Sequence, residues 1–290
     1  MKRRIHSLCS SMFLLISLPG CGGGDGYPPE SDTIEGEVEA AESALLNPNA
    51  LDPHALDPRA IDPDALSAGA LAPNRLEESG LAESALRALR DPGEAGRLSR
   101  HLLRYIVGCA LSASQSLRFS WRDALGAPHE EIYRGLIGLA PSWTQEPLNA
   151  VRQQWVSACV ASRVNASGVS VTISSRAAHA ALRSPDAPEV ERYPDEEGAF
   201  WGNLFTNPPR LFACYNNSNV ENSRTHGRDC AAGRPGSAGG SSECANIHIV
   251  GSCDLACDAL DVSSGSGRGY RSGCGDPDAP SSAVITTFLP

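Results

Sequence analysis

The sequence predicts an α+β fold: a single disulfide-stabilised domain of helices and a small, mostly antiparallel sheet, preceded by a disordered, proline-rich repeat tether. Three observations lead to this prediction. Two segments carry apolar residues at helical spacing, other segments alternate apolar and polar residues as strands do, and eight cysteines follow the export signal and its lipid site at Cys21. The predicted boundaries are 1–20 for the signal, 21–90 for the tether, 91–275 for the domain and 276–290 for a C-terminal tail.

The first 20 residues have the composition of a secretion signal. A basic start precedes an apolar stretch that is too short to span a membrane, because a spanning helix needs about 20 residues. The sequence Leu18–Cys21 (Leu-Pro-Gly-Cys) fits the lipobox of a bacterial lipoprotein and predicts a lipid anchor on Cys21. Ordinary cleavage near residues 22–24 is the alternative. Because Gly22 rather than Asp follows the cysteine, we expect an outer-membrane protein that faces the periplasm or the cell exterior.

The cysteines predict disulfides. Cys9 leaves with the signal and Cys21 carries the lipid, so an even number remains for an oxidising compartment. Cys109 and Cys159 each lie on the apolar stripe of a predicted helix, far along the chain from the other six, and we expect them to pair with each other. The cysteines expected in disulfides are Cys109, Cys159, Cys214, Cys230, Cys244, Cys253, Cys257 and Cys274.

The tether is predicted from its charge and its lack of large side chains. Residues 22–100 hold 16 acidic and 6 basic residues, and no Trp, Tyr or Phe occurs between Pro28 and Arg104. A repeat, Ala-Leu-Asp-Pro-x, places an apolar residue at positions 46, 51, 56, 61, 66, 71 and 76. Asp is a good N-cap and Pro suits the first helical position, so each repeat predicts one turn that the next Pro ends. We expect a solvated spacer; repeats that dock on a partner or on the domain itself are the alternative.

The domain is predicted to contain helix, two strands, helix and strand in that order. Apolar stripes mark the helices: Leu98, Leu102, Tyr105 and Cys109 in the first; Leu148, Val151, Trp155 and Cys159 in the second, which starts at Pro147 and ends before Gly168. Alternation predicts a hairpin over 117–122 and 132–139 and a strand over 169–174. From Cys214 to Cys274, six cysteines lie among Gly, Ser and Asn, so crosslinks are expected to hold this part together.

Composition and charge exclude several classes of function. Lys2 is the only lysine, so the exported part has none for a P-loop, a Schiff base or a Ser-Lys dyad, which argues against ATP chemistry. The chain also lacks the G-x-S-x-G and H-E-x-x-H motifs. Residues 101–290 hold 18 acidic and 15 basic residues, whereas nucleic-acid binding needs a positive surface. We therefore expect no cofactor and no nucleic-acid partner.

A mirrored pair of His and Cys residues has the spacing of a tetrahedral zinc site. Exported thiols usually pair, and an even number of cysteines needs no metal, so we interpret these cysteines as disulfides and expect no metal ion. The zinc alternative would use His226, Cys230, Cys244 and His248.

Two further groups of residues have the chemistry of a hydrolase. Glu196 or Glu197, beside the aromatic strand that follows, could act on a sugar as an acid with Asp195 or Glu131 as its partner. We interpret the two glutamates instead as a solvated acidic turn. The run Ser174–Arg176 with His179 could supply a nucleophile and a base, but a serine at a strand end is common. We therefore assign no catalytic residue.

Four sequence blocks carry a resemblance to known proteins. They are Arg104–Leu111, Gly138–Trp143, Trp155–Asn165 and Glu197–Phe205, which include RYIVGCAL, WVSACVASRVN and EGAFWGNLF. The chain resembles an uncharacterised family of predicted bacterial lipoproteins over residues 101–257. The resemblance implies a shared fold and export, and it supplies no activity or catalytic residues.

These observations favour an exported lipoprotein that serves the cell envelope as a binding or structural module. Its partners would be the membrane, through the lipid on Cys21, and an envelope or extracellular ligand whose identity the sequence does not give. The alternative is an envelope hydrolase that acts on peptide or glycan.

Overall fold

The structure places a mixed β-sheet between a helical layer and a C-terminal layer that contains disulfides. It is a computed structural model that describes residues 46–47, 49–182, 187–232, 244, 246–261, 269–275 and 281–290. The predicted signal, the predicted lipid site at Cys21 and residues 22–45 of the predicted tether lie outside the described residues.

Helices and strands are both present in the described part of the chain, which confirms the α+β class. The helices are α1 (Glu83–Arg90), α2 (Glu94–Ala110), α3 (Ala150–Ser162), α4 (Ala187–Arg192), α5 (Val220–Thr225), α6 (Asp229–Ala232) and α7 (Cys253–Ala256). The strands are β1 (Leu46–Asn47), β2 (Ser116–Arg122), β3 (Pro128–Arg134), β4 (Ile173–Arg176), β5 (Asp195–Asn203), β6 (Arg210–Tyr215), β7 (Ile247–Ser252) and β8 (Ile285–Leu289).

The larger sheet has the strand order β1-β4-β8-β5-β6-β7. Its strand pairs are antiparallel except for β6 and β7, which are parallel. The last strand, β8, lies in the middle of the sheet, and all five of its residues are buried. The prediction of a C-terminal tail is therefore wrong for residues 285–289. The run Val284–Leu289 contains only apolar residues and Thr, which is typical of a strand buried on both faces.

The two faces of the sheet pack against different layers, because successive side chains of a strand point to opposite faces. Phe200 and Ile285 belong to the large apolar cluster that the sheet forms with α2 and α3. The other face contributes to a smaller cluster, which consists of Ala199, Trp201, Cys214, Cys253, Cys274 and Val284.

The two predicted helices are present and are covalently joined. Leu98, Leu102 and Cys109 are buried on α2, as the stripe predicts. Cys109 forms a disulfide with Cys159 of α3, which is the pair predicted from the sequence. The other three disulfides among the described residues join Cys214 to Cys253, Cys230 to Cys244 and Cys257 to Cys274.

The start of α3 differs from the prediction. The helix begins at Ala150, where the Asn149 side chain accepts a hydrogen bond from the Arg152 N–H (3.0 Å) and caps the first turn. Pro147 therefore lies before the helix. Val151, in the first turn of the helix, is 59 % exposed instead of buried.

The predicted hairpin is present as β2 and β3, but its second strand is Pro128–Arg134 instead of 132–139. The predicted strand over 169–174 is also shifted. Val169 is exposed, and the strand β4 starts only at Ile173. The Asn165 side chain donates to the Val169 carbonyl (2.7 Å), and Gly168 adopts a positive φ of 67°, so this stretch forms a loop.

The repeats pack on the domain. We call residues 49–81 the repeat strap. Pro53–Leu56 and Pro58–Ala60 each form one 3₁₀ turn, and Asp52 Oδ1 caps the first by accepting from the His54 N–H (2.9 Å), which agrees with the predicted single turns. The buried leucines, each at most 7 % exposed, are Leu51, Leu56, Leu66, Leu71, Leu76 and Leu81.

Hydrogen bonds hold the repeat strap against the helical layer. The Leu66 N–H donates to Ser99 Oγ (3.2 Å) on α2, and the Leu76 N–H donates to the Trp143 carbonyl (2.9 Å). Trp143 Nε1 in turn donates to the Asn74 carbonyl (2.9 Å). The expectation of a solvated spacer is therefore wrong for residues 49–90, and the alternative, docking on the domain itself, is what the structure has. The leucines of the repeat strap share one apolar cluster with residues of α2 and α3. The composition of the strap alone does not reveal these partners.

Two neighbouring repeats provide a matched test of this packing. Leu56 is 2 % exposed, whereas Ile61, at the same position of the next repeat, is 55 % exposed. We expect Leu56→Ala to lower the free energy of unfolding by about 2–5 kcal/mol, because it removes buried methyl groups and leaves a cavity. Ile61→Ala should change it by less than about 0.5 kcal/mol. Urea denaturation at neutral pH measures both, and an equally small effect of the two substitutions would contradict the packing.

His101 on α2 forms a hydrogen bond with the start of the repeat strap. The Asp52 N–H donates to His101 Nε2 (3.3 Å), which also lies 3.3 Å from the Ala50 carbonyl oxygen. Burial, and then the charges of Arg104 and Arg97, hold the pKa of His101 below its usual value of 6.5, while the Ala50 carbonyl and Asp52 act in the opposite direction. The neutral imidazole is therefore the form that the fold favours.

This contact predicts a pH dependence of stability. Because the pKa of His101 is lower in the folded protein, the unfolded chain binds the proton more readily. The contribution of His101 should therefore be complete above pH 6.5 and decline as the pH falls through 6.5 toward the folded pKa. We expect the wild type to lose more stability between pH 7.5 and pH 5.5 than His101→Gln, whose amide keeps an acceptor and cannot titrate. Urea midpoints at both pH values measure this, and equal losses would refute it.

Candidate functional site

The hairpin of β2 and β3 is a two-stranded sheet separate from the larger one. Its inner face packs through Leu117, Phe119 and Tyr133, which are at most 3 % exposed. The rings of Phe119 and Tyr133 meet edge to face at 5.5 Å. These contacts pack the hairpin on α2, so that its outer face points toward solvent.

The outer face of the hairpin carries charge and an apolar tip. Arg118 pairs with Glu130 (2.5 Å), and both side chains are more than half exposed. Leu125, at the turn, is 95 % exposed. The remaining outward side chains of this face, which are exposed, are Ser116, Ser120, Arg122, Pro128, Ile132 and Arg134. The positive charges therefore outnumber the negative ones on this face. We call this face, together with Leu125, the hairpin surface.

The tip of the hairpin is organised by Asp123. Its Oδ1 accepts from the N–H groups of Leu125 and Ala127 (both 2.9 Å), and Gly126 has the positive φ (82°) that the turn requires. His129 Nε2 lies 3.0 Å from Asp123 Oδ2. The hydrogen bonds from His129 and from the two backbone N–H groups hold the pKa of Asp123 below its usual range. Leu125 is thus exposed on a turn that is closed by hydrogen bonds to Asp123.

A stack of side chains connects the hairpin to the helices. The Arg100 guanidinium lies 3.6 Å from the centre of the Trp121 ring, and the His129 ring stacks on Trp121 at 4.6 Å. Arg100 Nη1 donates to the Leu89 and Asp91 carbonyls (2.8 and 2.7 Å) at the end of α1. Burial lowers the pKa of Arg100. These contacts occupy Trp121, so this ring supports the hairpin.

Glu196 and Glu197, predicted as a solvated turn, are buried in ion pairs on opposite faces of the sheet. A β-bulge lies at this point, because Glu196 pairs with Phe288 and Gly198 with Thr287. Arg228 Nε and Nη2 donate to the two carboxylate oxygens of Glu197 (2.7 and 2.8 Å), and both side chains have no exposure. The prediction of solvation is therefore wrong, because two arginines from later in the chain cover these carboxylates.

The Glu197 carboxylate also accepts hydrogen bonds from hydroxyl groups. Ser223 Oγ donates to Oε1 (2.9 Å) and Thr287 Oγ1 to Oε2 (2.7 Å). Burial raises the pKa of Glu197, but the charge and hydrogen bonds of Arg228, then the two hydroxyls, outweigh it and hold the pKa below its usual range. A general acid for a glycosidic bond needs a raised pKa, so Glu197 has the opposite property.

Glu196 is similarly bound on the other face. Arg271 donates from Nε and Nη2 to the Glu196 oxygens (2.8 and 3.2 Å) and from Nη2 to Asp254 (2.7 Å). Asn216 Nδ2 adds a third donor (2.8 Å). The proposed partners lie elsewhere: Asp195 accepts from Asn222, and Glu131 accepts from Trp121 on the hairpin. The structure does not bring these carboxylates together as an acid and base pair.

The serines near His179 are used inside the fold. Ser174 Oγ donates to buried Glu189 (2.5 Å), and Ser175 Oγ accepts from Arg163 Nη2 (3.2 Å). His179 Nδ1 accepts from the Ala181 N–H (3.2 Å). The two serines thus have partners of their own, and neither is bonded to His179 in the contacts above. These contacts agree with the interpretation that the two serines belong to a strand end and have no assigned catalytic role.

The cysteines of the zinc alternative form a disulfide, Cys230–Cys244. This bond removes the two thiolates that a zinc site with His226 and His248 would need. His226 instead lies at the end of α5, where its Nδ1 is 2.9 Å from the Asn222 carbonyl oxygen. Within the described ranges, no group of three or more His, Cys, Asp and Glu side chains has the arrangement of a metal site.

The arginines Arg228 and Arg271 were missed by sequence reasoning. No local sequence pattern links them to the glutamates that they bind, because they lie 31 and 75 residues away along the chain. One general property points toward them: after Lys2 the chain uses only arginine as its permanent cation, and the planar guanidinium suits buried, two-pronged carboxylate pairs. Which arginine meets which glutamate follows only from the fold.

Comparison with known proteins finds no matching family model, no matching curated protein and no matching solved structure. In the part of the chain that the structure describes, no helix combines the length and the apolar character needed to cross a bilayer. The geometry of the chain itself therefore carries the functional argument.

Proposed function

We propose that this chain is an exported lipoprotein of the outer membrane, anchored through Cys21, that binds an envelope component through the hairpin surface. The observation that carries the proposal is the contrast between its buried and exposed chemistry. The carboxylates and serines that suggested catalysis have internal hydrogen-bond partners, while the outward arginines and Leu125 of the hairpin face solvent.

The disulfides support the export that this proposal requires. Each of the eight cysteines expected in disulfides is paired in one of four bonds. Such crosslinks persist in oxidising compartments and are rare in the cytosol. The signal and the lipobox, read from the sequence, account for how the chain would reach that compartment.

The chemistry of the hairpin surface favours a negatively charged ligand. Arg118, Arg122 and Arg134 face outward against one acidic neighbour, Glu130. Arginine binds carboxylate and phosphate groups through two parallel hydrogen bonds. Leu125 adds an apolar contact, which is worth about 2 kcal/mol when a partner covers a leucine side chain fully. The alternative, an envelope hydrolase, has less support, because Glu196 and Glu197 are each bound to a buried arginine.

Cosedimentation of the purified mature protein with peptidoglycan sacculi, and with vesicles that contain phosphatidylglycerol, tests this proposal. We expect binding to one of these anionic probes, and we expect 0.5 M NaCl to weaken it because exposed charges are screened. The variant Arg118→Ser/Arg122→Ser/Leu125→Ser should bind at least about tenfold more weakly.

The matched control removes the same groups elsewhere. Arg192→Ser/Arg210→Ser/Leu255→Ser also replaces two exposed arginines and one exposed leucine, and it should bind like the wild type. Equal binding by the two triple variants would refute the hairpin surface as the contact. Release of soluble fragments from sacculi, abolished by Glu196→Gln, would favour the hydrolase instead.

A further inference from the structure

Two disulfides lie side by side in the C-terminal layer. Cys214 on β6 is bonded to Cys253 at the start of α7, and Cys257, just after α7, is bonded to Cys274. The Sγ atoms of Cys214 and Cys257, which belong to different disulfides, are only 3.7 Å apart. We call these four residues the sulfur cluster.

Cys257 is the most exposed of the four residues of the sulfur cluster. Cys257 is half-buried, whereas Cys214, Cys253 and Cys274 are at most 1 % exposed. The residues beside Cys257, Leu255 and Asp258, are exposed. Cys257 is therefore more accessible to an external thiol than Cys214 or Cys253.

We propose that the sulfur cluster is a thiol–disulfide exchange site that accepts reduction from an external dithiol at Cys257 and passes it to the buried Cys253. The thiolate of the dithiol attacks Cys257 Sγ, forms a mixed disulfide and expels the Cys274 thiolate. The second thiol of the reagent, as its thiolate, then attacks its own bonded sulfur, closes a cyclic disulfide and expels the Cys257 thiolate.

The freed Cys257 thiolate completes the exchange inside the protein. It lies next to Cys214 Sγ, attacks it, forms the new bond Cys214–Cys257 and expels the Cys253 thiolate. The two protons lost by the dithiol end on Cys253 and Cys274. In total, the reagent gives up two electrons, and the protein exchanges two disulfides for one new disulfide and two thiols.

Non-covalent contacts keep the sulfur atoms in place after the first bond is broken. Arg271 binds Glu196 on the sheet and Asp254 on α7, so it holds both sides of the sulfur cluster. The Gly275 N–H donates to the Ala256 carbonyl (2.9 Å), and the Asp258 N–H donates to the Ser272 carbonyl (3.0 Å). These bonds flank Cys257 and Cys274, so loss of their disulfide leaves Cys257 beside Cys214.

Peptide mapping of the intact protein tests the proposal. The protein is treated with one equivalent of dithiothreitol at pH 8, alkylated with N-ethylmaleimide, and digested with trypsin and Asp-N, which cuts before Asp254 and Asp258 and so separates Cys253 from Cys257. We expect a Cys214–Cys257 crosslink together with alkylated Cys253 and Cys274. Alkylated Cys257 and Cys274 beside an intact Cys214–Cys253 bond would overturn the proposal.

Two double variants sharpen the test. In Cys257→Ser/Cys274→Ser the entry sulfur is absent, so reduction of Cys214–Cys253 should slow by at least about tenfold. Removal of a distant disulfide, in Cys230→Ser/Cys244→Ser, should leave the exchange at the wild-type rate. Equal reduction of Cys214–Cys253 in both variants would contradict the proposed route. Should the first variant not fold, the map of the wild-type protein decides alone, because it distinguishes exchange from simple reduction.

Discussion

The ion pair between Glu197 and Arg228 connects the layers of this fold. Neither side chain has any exposure, so each charge depends on its partner and on the hydrogen bonds around it. Arg228 also donates to the Ser162 and Val164 carbonyls (3.0 and 2.8 Å) at the end of α3. The last carbonyls of a helix have no hydrogen-bond donors within the helix. The Arg228 guanidinium provides such donors here, and it also binds the Glu197 carboxylate on β5.

The first repeat of the repeat strap is bonded to the same stretch of chain that Arg228 binds, just after α3. The Leu51 N–H donates to the Arg163 carbonyl (3.1 Å), and the Asn165 N–H donates to the Leu51 carbonyl (3.0 Å), so the first repeat is bonded to the chain just after α3. Later repeats then cover α2 and Trp143 with their leucines. The repeat strap, which has no aromatic residues of its own, is thereby part of the core. The outer face of the hairpin remains exposed to solvent.

The features that were predictable from the sequence are those set by local pattern. The spacing of Leu98, Leu102 and Cys109 identifies one helix face whatever surrounds it, and the alternation over 117–122 identifies the first strand of the hairpin. The repeat strap was not predictable in this way, because its leucines are buried by residues from other segments. The same holds for Glu196 and Glu197, which look like an exposed acidic turn until distant arginines meet them. The apolar run of β8 is typical of a buried strand, but its place in the middle of the sheet depends on pairing with β4 and β5.

A double-mutant cycle on Glu197 and Arg228 tests the central role of this ion pair most directly. Glu197→Gln and Arg228→Met should each lower the free energy of unfolding by about 3–5 kcal/mol, because each leaves one buried charge without its partner. The double variant should lose clearly less than the sum of the two, since it buries neither charge. Single losses below about 1 kcal/mol that simply add in the double variant would show that the layers do not depend on this pair.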